Sequence, residues 1–436
     1  MIHNPARLQD PWRRAFLQGS SDVKVIIVGG GIGGLATALM LHDRGIEAEV
    51  YERAPDIREM GVGINTLPHA IRELANIGLL DALDRVAIRT YELTYQNRHG
   101  QTIWHELRGM HAGLDMPQFS IHRGRLQGVL RDAVVERLGA DAIKTGHACL
   151  AVEQDADGAT AMFEVRASGE TVQVSGDCVV AADGIHSVVR QQFYPDQGAP
   201  KWNGIMLWRG ATLWQPFQTG KSMVIAGGMD AKLVLYPIAD DGHADGKVLM
   251  NWAVAAKLGD ALTPMPRRED WNREGKLEEL LPFVEDTFHL DVLDPVALIR
   301  ETGTFYEYPM CDRDPVEAWT FGRVTLLGDA AHPMYPVGSN GASQAILDAR
   351  CLADKLSGEA DVEAALKAYE VERLPMTAEI VRQNRSGGPE RVIDLVNARA
   401  PDGFARLEDV ATQAELEAVV RGYQKTAGFD REAVNR

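Results

Sequence analysis

The sequence predicts a mixed α/β fold, α+β overall, in which a domain with a parallel sheet is interleaved with an antiparallel sheet and followed by a helical C-terminus. Three observations predict it. Residues 91–107 and 204–256 alternate between apolar and polar side chains, as antiparallel strands do. The chain after residue 342 has mostly helical patterns. Three apolar runs are each followed by glycine and a helix, as in a parallel sheet, and they begin at Val23, Cys178 and Arg323.

Length, composition and charge narrow the classes of function. The chain has 436 residues, of which 45% are hydrophobic, enough for two or three packed domains. The formal net charge of −17 predicts an acidic surface, which argues against nucleic-acid partners and against docking on anionic membranes. An anionic ligand would therefore need a locally basic pocket. The four cysteines form no CxxC pair, so we expect buried thiols and no metal site.

Two N-terminal features resemble targeting signals. Val23–Leu41 is apolar enough to suggest a membrane span, but glycines interrupt it, which suits a turn and not a lipid-facing helix. Arg13 and Arg14 resemble a twin-arginine export signal, but no small-residue cleavage site precedes the apolar run. We therefore interpret residues 1–22 as an N-terminal arm and expect a cytoplasmic protein.

The first candidate site is a βαβ unit within residues 23–52. Gly29-x-Gly31-x-x-Gly34 follows a strand and opens a helix, and the next strand ends at Glu52. Gly29 permits a tight turn, Gly31 lets backbone approach a pyrophosphate, and Gly34 lets helix pack on strand. The helix N-terminus attracts phosphate, and a carboxylate at Glu52 can bind an adenosine ribose. This spacing predicts a Rossmann-like dinucleotide site but does not distinguish NAD from FAD.

A second candidate site is the Asp183-Gly184 pair that ends the strand from Cys178. Ser187 can cap the helix that follows, and Arg190 can counter a phosphate or pair with Asp183. By itself, this pattern is more typical of an ordinary strand-to-helix turn than of a binding site.

A third candidate site is Gly328-Asp329, at the end of the strand from Arg323. Pro336, Gly338 and Gly341 follow, and then a helix begins at Ala342. An aspartate in this place can bind a ribityl hydroxyl, and backbone N–H groups at the helix start can support negative charge on a flavin ring. Because NAD has no ribityl chain, this motif favours FAD.

Together the motifs resemble those of the class A single-component flavoprotein monooxygenases, the para-hydroxybenzoate hydroxylase family. The hallmarks of that family are GxGxxG, an internal Asp-Gly pair and Gly-Asp-Ala-Ala-His-x-x-x-Pro, which occur here in order within residues 23–385. Outside the FAD motifs, residues 206–210 and 308–315 are most similar to the methylphenazine-carboxylate monooxygenases of the family. The N-terminal arm and the tail from about residue 386 are dissimilar.

The resemblance implies where FAD binds. The glycine motif would hold the pyrophosphate, Glu52 the ribose and Asp329 the ribityl chain, while backbone at 338–342 would meet the isoalloxazine. Asp183 and Arg190 would also receive the nicotinamide cofactor. The cofactor-binding residues predicted in this way are Gly29, Gly31, Ile32, Gly33, Gly34, Glu52, Arg53, Arg123, Asp183, Gly184, Arg190, Gly328, Asp329, Pro336, Gly338, Asn340, Gly341 and Ala342.

The resemblance also implies the reaction: NADH or NADPH and O2 hydroxylate an electron-rich aromatic or N-heteroaromatic small molecule through a flavin C4a-hydroperoxide. The substrate-side candidates are Trp208, Arg209, Tyr236 and Tyr335, with Trp252 as a further aromatic on a predicted strand. Arg209 could bind a substrate carboxylate or form an ion pair at a domain interface. Tyr335 could line the pocket or help remove a phenolic proton. Aromatic residues on predicted sheet strands are more often part of the sheet core.

Several alternatives stay open. The same flavin chemistry serves decarboxylative hydroxylation, Baeyer–Villiger oxidation and epoxidation, and a non-catalytic FAD-binding sensor or sequestering protein would share the motifs. The sequence does not decide between NADH and NADPH, or between a monomer and a homodimer. The predicted domains are an arm (1–22), an FAD-binding domain (23–90, 115–200 and 316–385), a substrate-binding sheet domain (91–114 and 201–315) and a helical C-terminal extension (386–436).

Overall fold

The computed structural model describes residues 23–57, 62–260, 263, 265 and 273–435. The predicted N-terminal arm, with Arg13 and Arg14, lies outside the described residues. The strands are β1 (Lys24–Val28), β2 (Glu47–Glu52), β3 (Gly63–Thr66), β4 (Ala87–Arg89), β5 (Glu92–Gln96), β6 (Thr102–Leu107), β7 (Phe119–His122), β8 (Ile143–Thr145), β9 (His147–Gln154), β10 (Ala159–Val165), β11 (Glu170–Gly176), β12 (Cys178–Ala181), β13 (Lys201–Trp214), β14 (Ser222–Gly227), β15 (Ala231–Ala239), β16 (Val248–Lys257), β17 (Phe305–Asp312), β18 (Thr320–Phe321) and β19 (Val324–Leu326). The helices are α1 (Ile32–Asp43), α2 (Pro68–Asn76), α3 (Leu80–Asp84), α4 (Arg123–Leu138), α5 (Val188–Phe193), α6 (Leu277–Thr287), α7 (Pro295–Arg300), α8 (Gly341–Gly358), α9 (Val362–Arg385), α10 (Arg391–Arg399), α11 (Gln413–Thr426) and α12 (Arg431–Val434).

A six-stranded sheet runs in the order β18–β19–β12–β1–β2–β8. All neighbours in it are parallel except β18 and β19. The inner strands are continuous apolar runs because both faces are covered, one by helices that include α1 and the other by the sheet of β9, β10 and β11. Since β1, β12 and β19 are parallel neighbours, the motifs that follow them meet at one edge of the sheet. Topology therefore brings together three stretches that lie up to about 300 residues apart in sequence.

A seven-stranded sheet runs in the order β17–β13–β16–β15–β14–β5–β6. The predicted hairpin at 91–107 is confirmed as β5 and β6, and the predicted strands in 204–256 join the same sheet. One expectation was wrong, because β14 and β5 pair in parallel, so the sheet is mixed and not purely antiparallel. The long connection between these two strands passes through the six-stranded sheet, which allows the parallel pairing.

Other elements depart from the sequence prediction in detail. The helix expected at 68–86 is two helices, α2 and α3, because Gly78 adopts a φ of +77° between them. Two three-stranded sheets, β11–β10–β9 and β3–β7–β4, were not predicted. The break expected near residue 400 is present between α10 and α11. In the described part of the chain, no helix is long and apolar enough to cross a membrane.

The seven-stranded sheet has two unlike faces, since side chains alternate along each strand. We call the face covered by α6 and α7 the back face; it is an apolar cluster around Trp208 and Trp252. We call the other one the front face. On this face, Leu207 and Tyr308 pack against the loop before α8. Tyr236 belongs to an apolar cluster that includes residues of α10 and α11.

Candidate active site

The glycine motif after β1 divides into packed and open positions. Gly29 has a φ of +107°, and a Cβ there would lie 2.4 Å from the Ala182 carbonyl oxygen. A Cβ at Gly34 would lie 1.9 Å from the Gly29 carbonyl oxygen, so the predicted close packing of helix on turn is confirmed. A Cβ at Gly31 would meet nothing within 4 Å. Open space at Gly31, beside a helix that no side chain caps, is suited to a phosphate ligand.

Glu52 holds the glycine loop from the end of β2. Its two carboxylate oxygens accept hydrogen bonds from the backbone N–H of Gly30 and of Ala54, each at 2.7 Å. Each oxygen keeps a further lone pair, which is what a ribose diol requires. Gln127 of α4 donates to the Gly30 carbonyl at 2.8 Å and steadies the loop from the other side. Arg53 is exposed beside it.

The Asp183-Gly184 turn lies next to the glycine loop. Ser187 caps α5, as predicted, by accepting from the Arg190 N–H at 2.9 Å. Asp183 Oδ2 accepts from the Val188 N–H at 2.8 Å, while Oδ1 is buried without a hydrogen bond among the described residues. Burial raises the pKa of this carboxyl. Gly184 has a φ of +82° and open space around its Cα.

Arg190 has a different position from the one expected. It does not pair with Asp183; its buried guanidinium donates to the carbonyl oxygens of Ala330 and Ala331 at 2.9 and 2.7 Å. It also donates to the Asp314 carbonyl at 2.9 Å and to Gln197 Oε1 at 2.7 Å. With these donors committed to protein oxygens, Arg190 braces the turn after β19 and is poorly placed to counter a phosphate.

Asp329 and Arg123 face each other across a recess. Both side chains reach solvent, yet loss of water raises the pKa of Asp329 and lowers the pKa of Arg123. Accessible but desolvated groups lie in a concavity and not on an open surface. Each is also influenced by the charge of the other. His332, next along the motif, is buried and binds Asp348 at 2.5 Å, so its role is structural.

The loop of residues 336–341 leads from this recess into α8. Asn340 precedes the helix, but its side chain does not cap it, so the first N–H groups of α8 have no side-chain partner from that residue. The resemblance implied that the backbone of Gly338 meets the flavin ring, but its N–H donates instead to Glu390 Oε1 at 3.2 Å. Backbone donors toward a flavin ring would therefore come from Gly341 and Ala342 and not from Gly338.

These features fit FAD. Two uncapped helix starts, at α1 and α8, lie at the same sheet edge, which suits the pyrophosphate and the flavin ring. The space at Gly31, the unpaired Asp183 Oδ1 and the recess at Asp329 follow three neighbouring strands, β1, β12 and β19. No group of histidine, cysteine or acidic side chains in the described ranges is arranged to hold a metal ion.

The chain is similar to known proteins. Residues 22–218 and 265–384 match a family model described as an FAD binding domain. A phenazine 1,6-dicarboxylic acid hydroxylase, PhzS, from Lysobacter antibioticus is 42% identical over 84% of this chain and 90% of that protein. A 3-amino-4-hydroxybenzoate 2-monooxygenase, PtmB3, from Streptomyces platensis is 33% identical over 92% of this chain and 97% of that protein.

The chain belongs to the family of FAD-dependent aromatic hydroxylases. It is a flavoprotein monooxygenase, and FAD is its cofactor. The fold agrees with a solved structure of a single-residue variant of HpxO from Klebsiella pneumoniae complexed with FAD. That structure is 23% identical, has a TM-score of 0.71, and the match covers 93% of this chain and 98% of that one.

In this aromatic hydroxylase, the front face of the seven-stranded sheet carries the polar groups nearest the recess. The Arg209 guanidinium donates to the Tyr308 hydroxyl at 3.2 Å and to the Gly63 carbonyl. Tyr236 hydrogen-bonds the same guanidinium. The positive charge of Arg209 contributes to the lowered pKa of Arg123, so Arg209 lies near Arg123 on the recess side of the sheet. The ion pair considered for Arg209 is absent among the described residues.

Three of the substrate-side candidates lie in packed positions of the protein. Trp208 lies on the back face, where its Nε1 donates to buried Glu307 at 3.0 Å, and Trp252 lies beside it in the apolar cluster. Tyr335 is buried with Leu207 and Tyr308, and burial and the nearby Asp312 raise its pKa. A phenol held protonated in this way is a poor base at neutral pH.

Proposed function

We propose that this monooxygenase uses NADH or NADPH and O2 to hydroxylate an aromatic or N-heteroaromatic carboxylic acid. Bound FAD supplies the redox and oxygen chemistry, which amino-acid side chains do not provide. The chain's own residues bind the cofactor at the sheet edge, hold the substrate against the front face, and keep water out of the space between them.

The observation that carries this proposal is the unpaired cation at Arg209. None of the described carboxylates forms an ion pair with it, and its partners are two phenols and one carbonyl. Two of its N–H groups make the hydrogen bonds to Tyr308 and Gly63, and a guanidinium has five. A half-buried cation without a counter-ion is costly unless a ligand supplies the charge.

The charge distribution supports an anionic substrate. The chain carries a net charge of −17, yet two arginines, Arg123 and Arg209, lie near each other at the recess. The relatives named above act on a phenazine dicarboxylic acid and on an aminohydroxybenzoate, both of which are aromatic carboxylates. A planar guanidinium binds a carboxylate through two parallel hydrogen bonds, which would also orient the ring.

Each polar group then has a defined task. Arg209 binds the carboxylate, and the hydroxyls of Tyr308 and Tyr236 fix the plane of the guanidinium. Glu52 and Asp329 hold hydroxyl groups of FAD at the two ends of the sheet edge, and Arg123 lies opposite Asp329. Neither Tyr236 nor Tyr335 is ionised at neutral pH, since burial raises the pKa of both hydroxyls.

The proposal is tested with matched pairs of substrates. Purified holoenzyme is mixed with NADH or NADPH and with hydroxybenzoic, aminobenzoic and phenazine carboxylic acids, each compared with its primary amide. We expect an acid, and not its amide, to stimulate oxidation of the nicotinamide cofactor, with one atom of labelled O2 in the product.

The product mass also separates the alternatives. Loss of the carboxyl group with gain of one oxygen would indicate decarboxylative hydroxylation. Bound FAD without stimulated oxidation by any aromatic compound would favour a non-catalytic protein. Equal stimulation by acids and amides would contradict the role of Arg209 and leave hydroxylation itself standing.

A further inference from the structure

The C-terminal segment, defined here as residues 386–435, contacts the loop of residues 336–341. The family model ends at residue 384, so this segment lies beyond the matched FAD binding domain. Its contacts are with the backbone and side chains that lead into α8, next to the expected flavin ring. Two of its residues, Glu390 and Tyr423, reach the loop from different sides.

Glu390 joins the loop to the front face of the seven-stranded sheet. One carboxylate oxygen accepts from the Gly338 N–H at 3.2 Å, and the other binds Lys232 of β15. Both side chains of this ion pair are buried, with 8% of Lys232 and 4% of Glu390 exposed. The stability of a buried ion pair requires both partners, because removal of one would leave the other charge buried without a counter-ion or water. The sheet and the loop are thereby connected through one carboxylate.

Tyr423 of α11 holds the loop at its other end. Its hydroxyl accepts from Asn340 Nδ2 at 3.0 Å and lies 2.7 Å from Asn384 Oδ1, to which it can donate. Its ring packs directly against Gly338, where a Cβ would come within 2.6 Å. Tyr423 and Asn340 are both buried. The contact thus fixes the residue before α8 and excludes any side chain at position 338.

The backbone of the loop explains why such contacts are needed. Gly338 has a φ of +64° and Ser339 a φ of +57°. A residue other than glycine in the left-handed region is unfavourable by about 1 kcal/mol or more, and it persists where surrounding contacts determine the conformation. In the described part of the chain, only Gln218 is a second residue of this kind. The strained residue therefore lies between the two points that the C-terminal segment holds.

We propose that Glu390 and Tyr423 are positioning residues for the flavin ring, and that the C-terminal segment sets the conformation of the 336–341 loop. The segment keeps the loop in the one conformation that presents the start of α8 to FAD. This inference depends on FAD binding at the sheet edge and is independent of the substrate. When the loop occupies the binding conformation only part of the time, the apparent affinity for FAD falls to that fraction of its full value.

The first test removes the hydroxyl of Tyr423 and keeps its ring. In Tyr423→Phe, holoenzyme diluted in steps should release FAD with an apparent Kd raised by about threefold to tenfold, the effect of one or two hydrogen bonds. The fluorescence anisotropy of bound FAD should decay faster than in wild type. Tyr194→Phe is the matched control, since its hydroxyl donates to the Ala318 carbonyl at 2.8 Å away from the loop.

The second test separates the Gly338 contact from the ion pair. The variants Lys232→Met/Glu390→Gln and Lys232→Met/Glu390→Leu both lack the buried charges, but the glutamine retains an acceptor oxygen toward Gly338 N–H. We expect the leucine variant to release FAD more readily by about threefold or more. Equal FAD affinity and equal anisotropy decay in the two variants would overturn the role of Glu390.

The third test relieves the backbone strain at Ser339. Ser339→Gly removes the unfavourable side chain at a positive φ, so it should lessen the effect of Tyr423→Phe when the two are combined. Wild-type FAD affinity and anisotropy in Tyr423→Phe, matching Tyr194→Phe, would overturn the proposal. Because these measurements need no aromatic substrate, a failed substrate screen would contradict the proposed function and leave this inference intact.

Discussion

The two faces of the seven-stranded sheet differ in what their polar atoms do. Trp208 and Arg209 are neighbours on β13, yet Trp208 points to the back face and Arg209 to the front face. On the back face, Trp208 and Trp252 direct their indole N–H groups to protein acceptors inside an apolar cluster. On the front face, Arg209 has no carboxylate partner among the described residues.

This difference shows that residue type alone does not identify a binding face. Tryptophan and tyrosine are common both in cores and in ligand sites, because each joins a large apolar surface to one polar atom. The two faces differ in whether their polar side-chain atoms already have hydrogen-bond or ion-pair partners within the protein. Substitutions on the back face should therefore mainly affect stability, and substitutions on the front face should mainly affect ligand binding.

The largest effect is expected on the back face, from Trp252→Ala. Trp252 is fully buried, lies 5.3 Å from the Phe305 ring centroid, and donates to Thr302 at 2.8 Å. Truncation should lower the free energy of unfolding by about 3–5 kcal/mol through the cavity it leaves. Urea titration measures the loss. A stable variant with a raised KM for substrate would instead place Trp252 on the binding side.

The next effect belongs to the front face, from Arg209→Gln. Loss of a buried charged hydrogen-bond partner costs about 2–5 kcal/mol, so kcat/KM for an aromatic acid should fall by about 30-fold or more. The value for the matching amide should change much less. Arg125→Gln is the control, because it removes an arginine whose ion pair with Asp241 lies at the surface. An equal fall for acid and amide would show that Arg209 acts only through the fold.

The sequence was sufficient where a site is encoded by neighbours in the chain. The spacing of Gly29, Gly34 and Glu52 predicted their geometry, since strand, turn and helix are local. It failed for Arg190, whose partners Ala330 and Ala331 lie in the turn after β19, about 140 residues away. No local pattern marks such a contact.

Strand alternation held a signal that the sequence prediction did not use. Adjacent residues on one strand cannot face the same pocket, so Trp208 and Arg209 were mutually exclusive candidates. The role of the C-terminal segment had no such signal. Glu390 lies just before α10 and Tyr423 lies on α11, and both reach the 336–341 loop through long-range packing that no motif in the tail indicates.

The smallest effect is expected from Tyr236→Phe on the front face. Burial raises the pKa of the Tyr236 hydroxyl to about 12, while Arg209 opposes the shift. The hydroxyl is therefore neutral over the working pH range and acts by supporting the guanidinium. Its removal should lower kcat/KM for the acid by about twofold to tenfold, the contribution of one hydrogen bond, and should leave the alkaline side of the pH profile in place.

The same group has an effect on stability with a definite sign. A tyrosine has a pKa of about 10 in an unfolded chain, so between pH 10 and about 12 the unfolded state loses a proton that the folded state keeps. The contribution of Tyr236 to stability is thus present below pH 10 and is lost as the pH rises through that window, by up to about 1.4 kcal/mol per pH unit. Urea titrations at several alkaline pH values should show a weaker pH dependence in Tyr236→Phe than in wild type. An alkaline limb of kcat/KM that shifts in the variant would show instead that Tyr236 ionises during turnover, and the front face would then supply a base as well as a binding surface.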